Sequence, residues 1–276
     1  SFVPATTLSD IVFWSTLAFA FGGVESGSSM AEEIDDARRT VPRAVLTAAA
    51  IIVSLYLVGT LSVLLAVPSG QISGLQGIMQ ALQAVTTRAG MPWALPALAL
   101  LVVVNSIGGV SGWFAAVARV PFAAGLDSYL PAAFGRVHPR WNSPYVALLT
   151  QAAISAVFVV IGQAGTSVRG AYDVLVAMSV ITYFIPFLFI FAALIRVQRH
   201  AAAAHVMRVP GGPRVAIALG AIGFTTTSIS IVLACVPSAA EPNPALAVVK
   251  TVGLSLALTA AGAIVYALGR RRQREA

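Results

Sequence analysis

Long stretches without a single charged residue dominate this chain of 276 residues. A helix that crosses the hydrocarbon core of a bilayer needs about 20 consecutive, mostly apolar residues. Six segments meet this condition, at residues 44–67, 92–118, 144–162, 174–195, 215–240 and 251–269. A seventh, residues 11–31, has the length but contains Glu25 and many glycines and serines. The sequence therefore predicts an all-α integral membrane protein with seven spans.

The overall composition excludes several other classes of protein. Apolar residues make up 58% of the chain and charged residues 10%, whereas an ordinary soluble domain has about 25% charged residues. A soluble enzyme, a disordered chain and a disulfide scaffold are therefore all excluded. The single cysteine, Cys235, lies in an apolar stretch, so neither an internal disulfide nor a cysteine-based metal site is expected.

The excess of basic residues follows the membrane topology and does not indicate nucleic-acid binding. If the N-terminus lies outside, the inner side carries 14 of the 17 basic residues: Arg38, Arg39, Arg43, Arg119, Arg136, Arg140, Arg196, Arg199, Arg208, Arg214, Arg270, Arg271, Arg272 and Arg274. The outer side has only Arg88, Arg169 and Lys250. This asymmetry places the C-terminus in the cytoplasm. The basic tail is expected to contact anionic lipid headgroups.

Two functional classes with membrane-embedded chemistry lack the residues that they need. A retinal protein requires a lysine at mid-membrane, but Lys250, the only lysine, lies at the outer mouth of the last span. A membrane hydrolase requires a nucleophile and a base at depth, yet His138, His200 and His205 all fall in inner loops. The sequence predicts neither an enzyme nor a bound cofactor or metal.

The first span is interrupted. Gly22 and Gly23 are poor helix formers, and residues 26–29 are all serine or glycine, which favours unwinding where the backbone lines a cavity. An ionisable residue such as Glu25 inside a span is a functional candidate. The carbonyls and amides freed at such a break suit the two charges of a zwitterion. In the alternative interpretation, Gly23-x-x-x-Gly27 is a close-packing seam and Glu25 pairs with a polar neighbour.

Two weaker patterns concern other helices. Apolar residues at helical spacing with glutamines between them predict a short amphipathic helix over residues 71–87. Ser179 and Thr182 lie one turn apart within a span. Hydrogen bonding to another helix is the favoured role for these hydroxyls, and facing a cavity is the alternative.

Several motifs resemble the amino acid–polyamine–organocation (APC) transporters. FGGVES, followed by EE and ARRTVPRA, resembles their sixth helix and the loop after it. SIGGVSGWFAAVARVPFAAGLDSYLPAAFGRVHPRWNSP resembles the eighth helix with its inner loop, SVITYFIPFLFIFAAL the tenth helix, and RVPGGP the turn before the eleventh. VPSGQISGLQGIMQALQ is similar to the outer loop of the bacterial glutamate:GABA antiporters in this superfamily.

This resemblance implies the LeuT-type fold, in which two inverted five-helix repeats are followed by two more helices. The seven spans then correspond to helices six to twelve within a single membrane domain, residues 1–276. Residues 9–197 form the second repeat, and residues 214–269 form helices eleven and twelve. The chain is expected to be the C-terminal part of a longer transporter whose full-length chain also contains the first-repeat helices. Family members occur as monomers and dimers, so a homodimer is also possible.

The resemblance further implies secondary transport of amino acids or related amines by alternating access across the cytoplasmic (inner) membrane of a bacterium. No Walker-type motif is present, and helix eight offers a sodium ion only Ser106 and Ser111. Proton coupling or exchange is therefore the expected driving force. A non-transporting membrane module, such as a sensor or an assembly subunit derived from half a transporter, is the alternative.

Carried over residue by residue, the resemblance implies a substrate site at the interrupted span. The backbone carbonyls of Phe19 and Gly22 are expected to hold the substrate ammonium, beside Gly23 in the break, with the Phe19 ring closing over the substrate. Glu25 is implicated in proton coupling or gating. Trp113 is expected to pack on the substrate side chain; core packing is the alternative for this residue.

Overall fold

The computed structural model describes residues 8–26, 28, 34–68, 72–73, 76–165, 167–199, 209–237 and 243–275. This part of the chain forms eight α-helices: α1 (Leu8–Ala20), α2 (Ala37–Ala66), α3 (Gly77–Arg88), α4 (Leu95–Leu126), α5 (Tyr145–Gln163), α6 (Val168–Arg199), α7 (Gly212–Ala234) and α8 (Pro244–Glu275). Short 3₁₀ helices at Pro92–Ala94 and Ala132–Gly135 lie on either side of α4.

Six of these helices are long and apolar enough to cross a membrane, namely α2 and α4 to α8. Each of them overlaps one of the six uncharged segments, so the positions of these spans are confirmed. The helix α2 begins at Ala37, seven residues before the predicted span. The predicted span left these residues out because Arg38, Arg39 and Arg43 are charged. An uncharged stretch marks the part of a helix that lipid can surround, and the helix continues into the charged boundary.

The first helix is shorter than a span. Helix α1 has 13 residues and ends at Ala20. The apolar helical segment that overlaps it, Ile11–Ser26, is also too short to count as a span. The predicted interruption is present, but it begins at Phe21, earlier than the serines that were expected to unwind first. Gly22 and Gly23 account for this earlier end, because each glycine in a helix interior costs about 1 kcal/mol relative to alanine. The predicted positions 27 and 29–31 lie outside the described residues.

The amphipathic helix predicted over residues 71–87 is present as α3, which begins later, at Gly77. Ala81 of α3 is buried and packs with Ala66 and Val67 at the end of α2. Positions 71, 74 and 75 lie outside the described residues. The face of α3 that packs on α2 therefore contains Ala81 and Ala84, whereas Ile78 and Val85 of the predicted apolar row are exposed.

The described helices belong to two compact units. One contains α1, α6, α7, α8, residues 152–163 of α5 and the short segment Ser128–Leu130. In this unit α6 packs against α1, α7 and α8. Its core contains Val180, Ile181 and Phe184 of α6 together with Ala234 at the end of α7. The central position of α6 explains why this helix carries more buried residues than its neighbours.

The other unit contains α2, α3, α4 and residues 131–151. Many of its apolar side chains are exposed: Leu46 is 72% exposed, Leu57 61% and Leu65 83%. A protein in water rarely leaves so many large apolar side chains uncovered, whereas lipid tails solvate them without cost. The exposed apolar surface of α2 therefore agrees with a multi-pass membrane protein.

Candidate functional site

The end of α1 has a defined backbone geometry. The Gly22 N–H donates to the Phe19 carbonyl at 2.9 Å, which closes a tighter turn than the α-helix before it. Gly23 follows with φ of +99°, and the Ser26 N–H donates to the Gly23 carbonyl at 3.0 Å. The Phe19 carbonyl oxygen has two lone pairs, so one of them can still accept a bond from a ligand ammonium. The break thus replaces the α-helical hydrogen-bond pattern with two bonds that each span three residues, Gly22 to Phe19 and Ser26 to Gly23.

Phe19 and Gly22 both contact Tyr183 of α6. The Phe19 ring meets the Tyr183 ring edge to face, with centroids 5.4 Å apart and planes at 85°. A Cβ added to Gly22 would lie 2.8 Å from Tyr183 Cε1 and 2.9 Å from its hydroxyl oxygen. Only glycine lets the aromatic ring approach the backbone this closely. The predicted site residues Phe19 and Gly22 therefore share one neighbour, Tyr183, through which α6 contacts the end of α1.

Gly23 has a corresponding contact with Trp113 of α4. A Cβ at Gly23 would lie 2.6 Å from Trp113 Cζ2 and 2.9 Å from Cη2, so the indole rests directly on the glycine backbone. The positive φ of Gly23 independently disfavours any other residue. Trp113 remains 47% exposed, so it is not a fully buried core residue. One edge of the indole contacts the break, and much of its remaining surface is open.

Glu25 folds back onto the break. Its Oε2 accepts a hydrogen bond from the Gly23 N–H at 3.0 Å, and its side chain is half-buried. Charge-assisted hydrogen bonds of this kind are stronger than neutral ones. The only ionisable side chain of the predicted site is therefore tied to the same glycine that contacts Trp113.

The five predicted residues fall into two groups, one in each unit. Phe19 and Gly22 belong to the unit that contains Tyr183, and Gly23, Glu25 and Trp113 belong to the other. The division between the units falls at the peptide bond between the two adjacent glycines. Each group is internally in contact, which gives the break two separately defined sets of neighbours.

Tyr183 was missed by the sequence analysis. Residues 183, 187 and 191 are all aromatic and recur one turn apart on α6, and the Tyr183 and Phe187 rings are 5.1 Å apart. A tyrosine at the start of such a row, within an otherwise apolar span, is a usable signal because its hydroxyl needs a polar environment. Among the described residues, no group of three or more His, Cys, Asp or Glu side chains is placed to hold a metal ion.

Comparison with known proteins gives a consistent result. The family model for amino acid permeases matches residues 2–267. An uncharacterized transporter of Legionella pneumophila is 26% identical over 86% of this chain and 51% of its own length. A glutamate/gamma-aminobutyrate antiporter of Lactococcus lactis is 24% identical, over 87% of this chain and 48% of its own. The putrescine transporter PotE of Escherichia coli is 27% identical, over 66% and 40%.

The matches cover only part of each relative. The chain spans about half the length of the curated relatives it matches, since it covers 51% and 48% of the two described first. The family and these relatives are transporters and not enzymes. Together with the six apolar helices, the matches identify a multi-pass membrane protein.

Proposed function

This chain belongs to the amino acid permease family of the APC superfamily, and from that premise we propose that it takes part in secondary transport of amino acids or related amines. The relatives named as an antiporter and as a putrescine transporter support this class of substrate. The observation that carries the proposal is the break after α1. There, two adjacent glycines contact aromatic rings of α6 and α4, and a carboxylate bonds the second glycine.

The proposed substrate site consists of Phe19, Gly22, Gly23 and Trp113. The end of α1 presents carbonyl oxygens, which attract an ammonium group through their partial negative charge. The open surface of Trp113 offers an aromatic face to the rest of the substrate, and a cation close to such a face is also stabilised. Tyr183, packed on Phe19 and Gly22, is added as a wall of the site.

Glu25 is proposed as the coupling or gating residue. Its carboxylate is the acceptor for the Gly23 N–H, so a change in its charge alters the strength of a bond that holds the break. Protonation of Glu25 would weaken that bond and let the backbone around Gly23 rearrange. This would link a proton on Glu25 to the conformation of the site.

The proposed architecture is the LeuT-type fold with seven spans. In it, residues 9–197 form the second five-helix repeat and residues 214–269 form helices eleven and twelve. A first repeat in the full-length chain completes the site, and a homodimer remains compatible with this arrangement. Transport proceeds by alternating access, driven by proton coupling or by exchange. The extent of the relatives supports this assignment, because about half of their length lies outside the matched region.

Two contacts support the alternation of the spans. Lys250 near the start of α8 donates to the carbonyls of Gly162 and Ala164 at the end of α5, so these two helix ends lie together. Tyr129, in the loop after α4, stacks on Tyr266 near the end of α8. The first pair was assigned to the outer side and the second to the inner side by the arginine distribution. Because the arginines are concentrated on the inner side, we propose a cytoplasmic C-terminus in a bacterial inner membrane.

The test is counterflow in proteoliposomes that contain the full-length protein. Labelled glutamate, γ-aminobutyrate, putrescine and a panel of neutral amino acids are offered outside, against the same unlabelled compound inside. We expect uptake of at least one of them, and loss of most of this uptake in Trp113→Leu. Trp93→Leu is the matched control, since Trp93 lies at a span end and is 73% exposed. Absence of counterflow for every compound would favour the non-transporting alternative.

A further inference from the structure

A small pocket lies beside the last turns of α8. Its volume is about 220 Å³, and it is lined by Tyr266, Ala267, Arg270 and Arg271. Tyr266 and Arg270 are four positions apart, as are Ala267 and Arg271, so the four residues share one face of α8. The pocket combines two guanidinium groups with an aromatic ring.

A second segment holds this end of α8 in place. The Tyr129 ring stacks on the Tyr266 ring, with centroids 5.6 Å apart and planes at 9°. Gly269 lies against the backbone of Tyr129 so closely that a Cβ there would be 2.6 Å from the Tyr129 Cα and carbonyl oxygen. Helix α8 is thus fixed against residues Ser128–Leu130 where the arginines begin, and the pocket belongs to packed structure.

The two arginines carry charge that the described structure does not neutralise. Arg270 and Arg271 are exposed, and no carboxylate whose side chain is described forms an ion pair with either of them. A guanidinium presents several N–H donors in a planar fork that matches the oxygens of a phosphate. Two adjacent guanidinium groups therefore favour a phosphate-bearing anion over a single carboxylate.

The position of the pocket along α8 fits a lipid headgroup. Helix α8 has 32 residues, and at 1.5 Å per residue it is about 48 Å long, which exceeds a hydrocarbon core of about 30 Å. Its apolar part ends at Gly269, immediately before the arginines. Tyrosines are enriched at this boundary because the ring prefers lipid and the hydroxyl prefers water.

We propose that Tyr266, Arg270 and Arg271 bind the phosphate of an anionic phospholipid headgroup, with Tyr129 holding the Tyr266 ring in position. This is a defined site on one face of α8, beyond the general attraction of a basic tail to anionic lipid. It does not depend on the transport proposal, and its failure leaves that proposal untouched. Free phosphate offers the same oxygens, so the test separates the two sources.

The test is native mass spectrometry of the detergent-purified full-length protein with added lipid. Dioleoyl phosphatidylglycerol is expected to bind about tenfold more tightly than dioleoyl phosphatidylcholine, because only the former keeps its negative charge uncompensated. The double variant Arg270→Gln/Arg271→Gln should lose this preference. The control Arg199→Gln/Arg214→Gln removes the same charge from two exposed arginines of α6 and α7 but keeps Arg270 and Arg271, and it should keep the preference. Size-exclusion chromatography checks that both variants are folded.

Three results would overturn the proposal. Equal losses in the two double variants would mean that net charge alone attracts the lipid. Equal affinity of the parent protein for the two lipids would mean that no anionic headgroup is selected. Displacement of bound phosphatidylglycerol by millimolar inorganic phosphate would assign the pocket to a free anion and not to a lipid.

Discussion

The indole of Trp113 rests on the backbone of Gly23, at a distance that leaves no room for a Cβ. The same glycine has φ of +99° and donates its N–H to Glu25. Three independent features, namely an aromatic contact, a left-handed backbone and a carboxylate bond, therefore meet at one residue. This convergence supports the proposal that the break after α1 contributes to the substrate site.

Replacing Gly23 with alanine tests this convergence. The added Cβ clashes with the indole and also places a non-glycine residue at positive φ, a strain of about 1–3 kcal/mol. We expect substrate affinity to fall about tenfold or more, since 1.4 kcal/mol corresponds to a factor of ten. The matched control is Gly59→Ala in α2, where a Cβ meets nothing within 4 Å. Binding by scintillation proximity assay measures both, and unchanged affinity in Gly23→Ala would contradict the assignment.

Gly22 and Tyr183 should be energetically coupled. Gly22→Ala brings a Cβ to 2.8 Å from the Tyr183 ring, so this variant alone is expected to lower the melting temperature. Tyr183→Leu removes the part of the ring that the Cβ meets, so the double variant should recover stability. Contacting pairs typically show coupling energies of about 0.5–3 kcal/mol. Thermal melts of the two single variants and the double variant in detergent measure this, and purely additive effects would refute the contact.

Glu25→Gln should change the pH dependence of transport while leaving the protein folded. Glutamine keeps an oxygen that can accept the Gly23 N–H, but it cannot gain or lose a proton. We expect the uptake rate of this variant to be nearly constant between acidic and neutral pH, where the parent protein changes. Asp35→Asn, which removes an exposed carboxylate ten residues away, is the control and should follow the parent profile. Superimposable profiles for Glu25→Gln and the parent would exclude Glu25 from coupling.

Lys250 is expected to contribute to stability. Its ammonium donates to the carbonyls of Gly162 and Ala164, and these hydrogen bonds tie the start of α8 to the end of α5. Lys250→Met should cost about 1.5–3 kcal/mol, the range for hydrogen bonds to charged groups. The melting temperature should fall by a few degrees, and Lys250→Arg should retain part of the stability. Arg169→Met, an exposed residue in the first turn of α6, is the control. Equal melting temperatures of Lys250→Met and Arg169→Met would argue against a stabilising role for these hydrogen bonds.

The spans were predictable because they depend on a local property. Any uncharged apolar stretch of sufficient length must satisfy its backbone hydrogen bonds internally in lipid, so it becomes a helix wherever it packs. The interruption of the first span was also predictable, because Gly22 and Gly23 weaken a helix by themselves. Its starting point at Phe21 was not, because residues 26–29, all serine or glycine, were expected to unwind first.

Contacts between distant helices were not predictable from local patterns. Tyr183 lies about 160 positions from Gly22, and Lys250 lies 88 positions from Gly162, so no spacing rule connects them. Ser179 and Thr182 were expected to bond to another helix, and the bonds that their hydroxyls donate lie within α6 instead. Their hydroxyls donate to the carbonyls of Leu175 and Met178 in their own helix. A hydroxyl in a span can always reach the carbonyl one turn earlier, and this local partner was available without any second helix.

Substrate protection at the break tests the central claim most directly. In a full-length background with every native cysteine replaced by serine, Cys235 included, Ser26→Cys places a thiol beside Gly23, and Ser128→Cys places one in the loop after α4. The measurement is the rate of maleimide labelling of the full-length protein with and without the compound it transports. We expect saturating substrate to slow labelling at position 26 several-fold and to leave position 128 unchanged. Equal labelling rates at position 26 with and without substrate would contradict the assignment of the break as the substrate site.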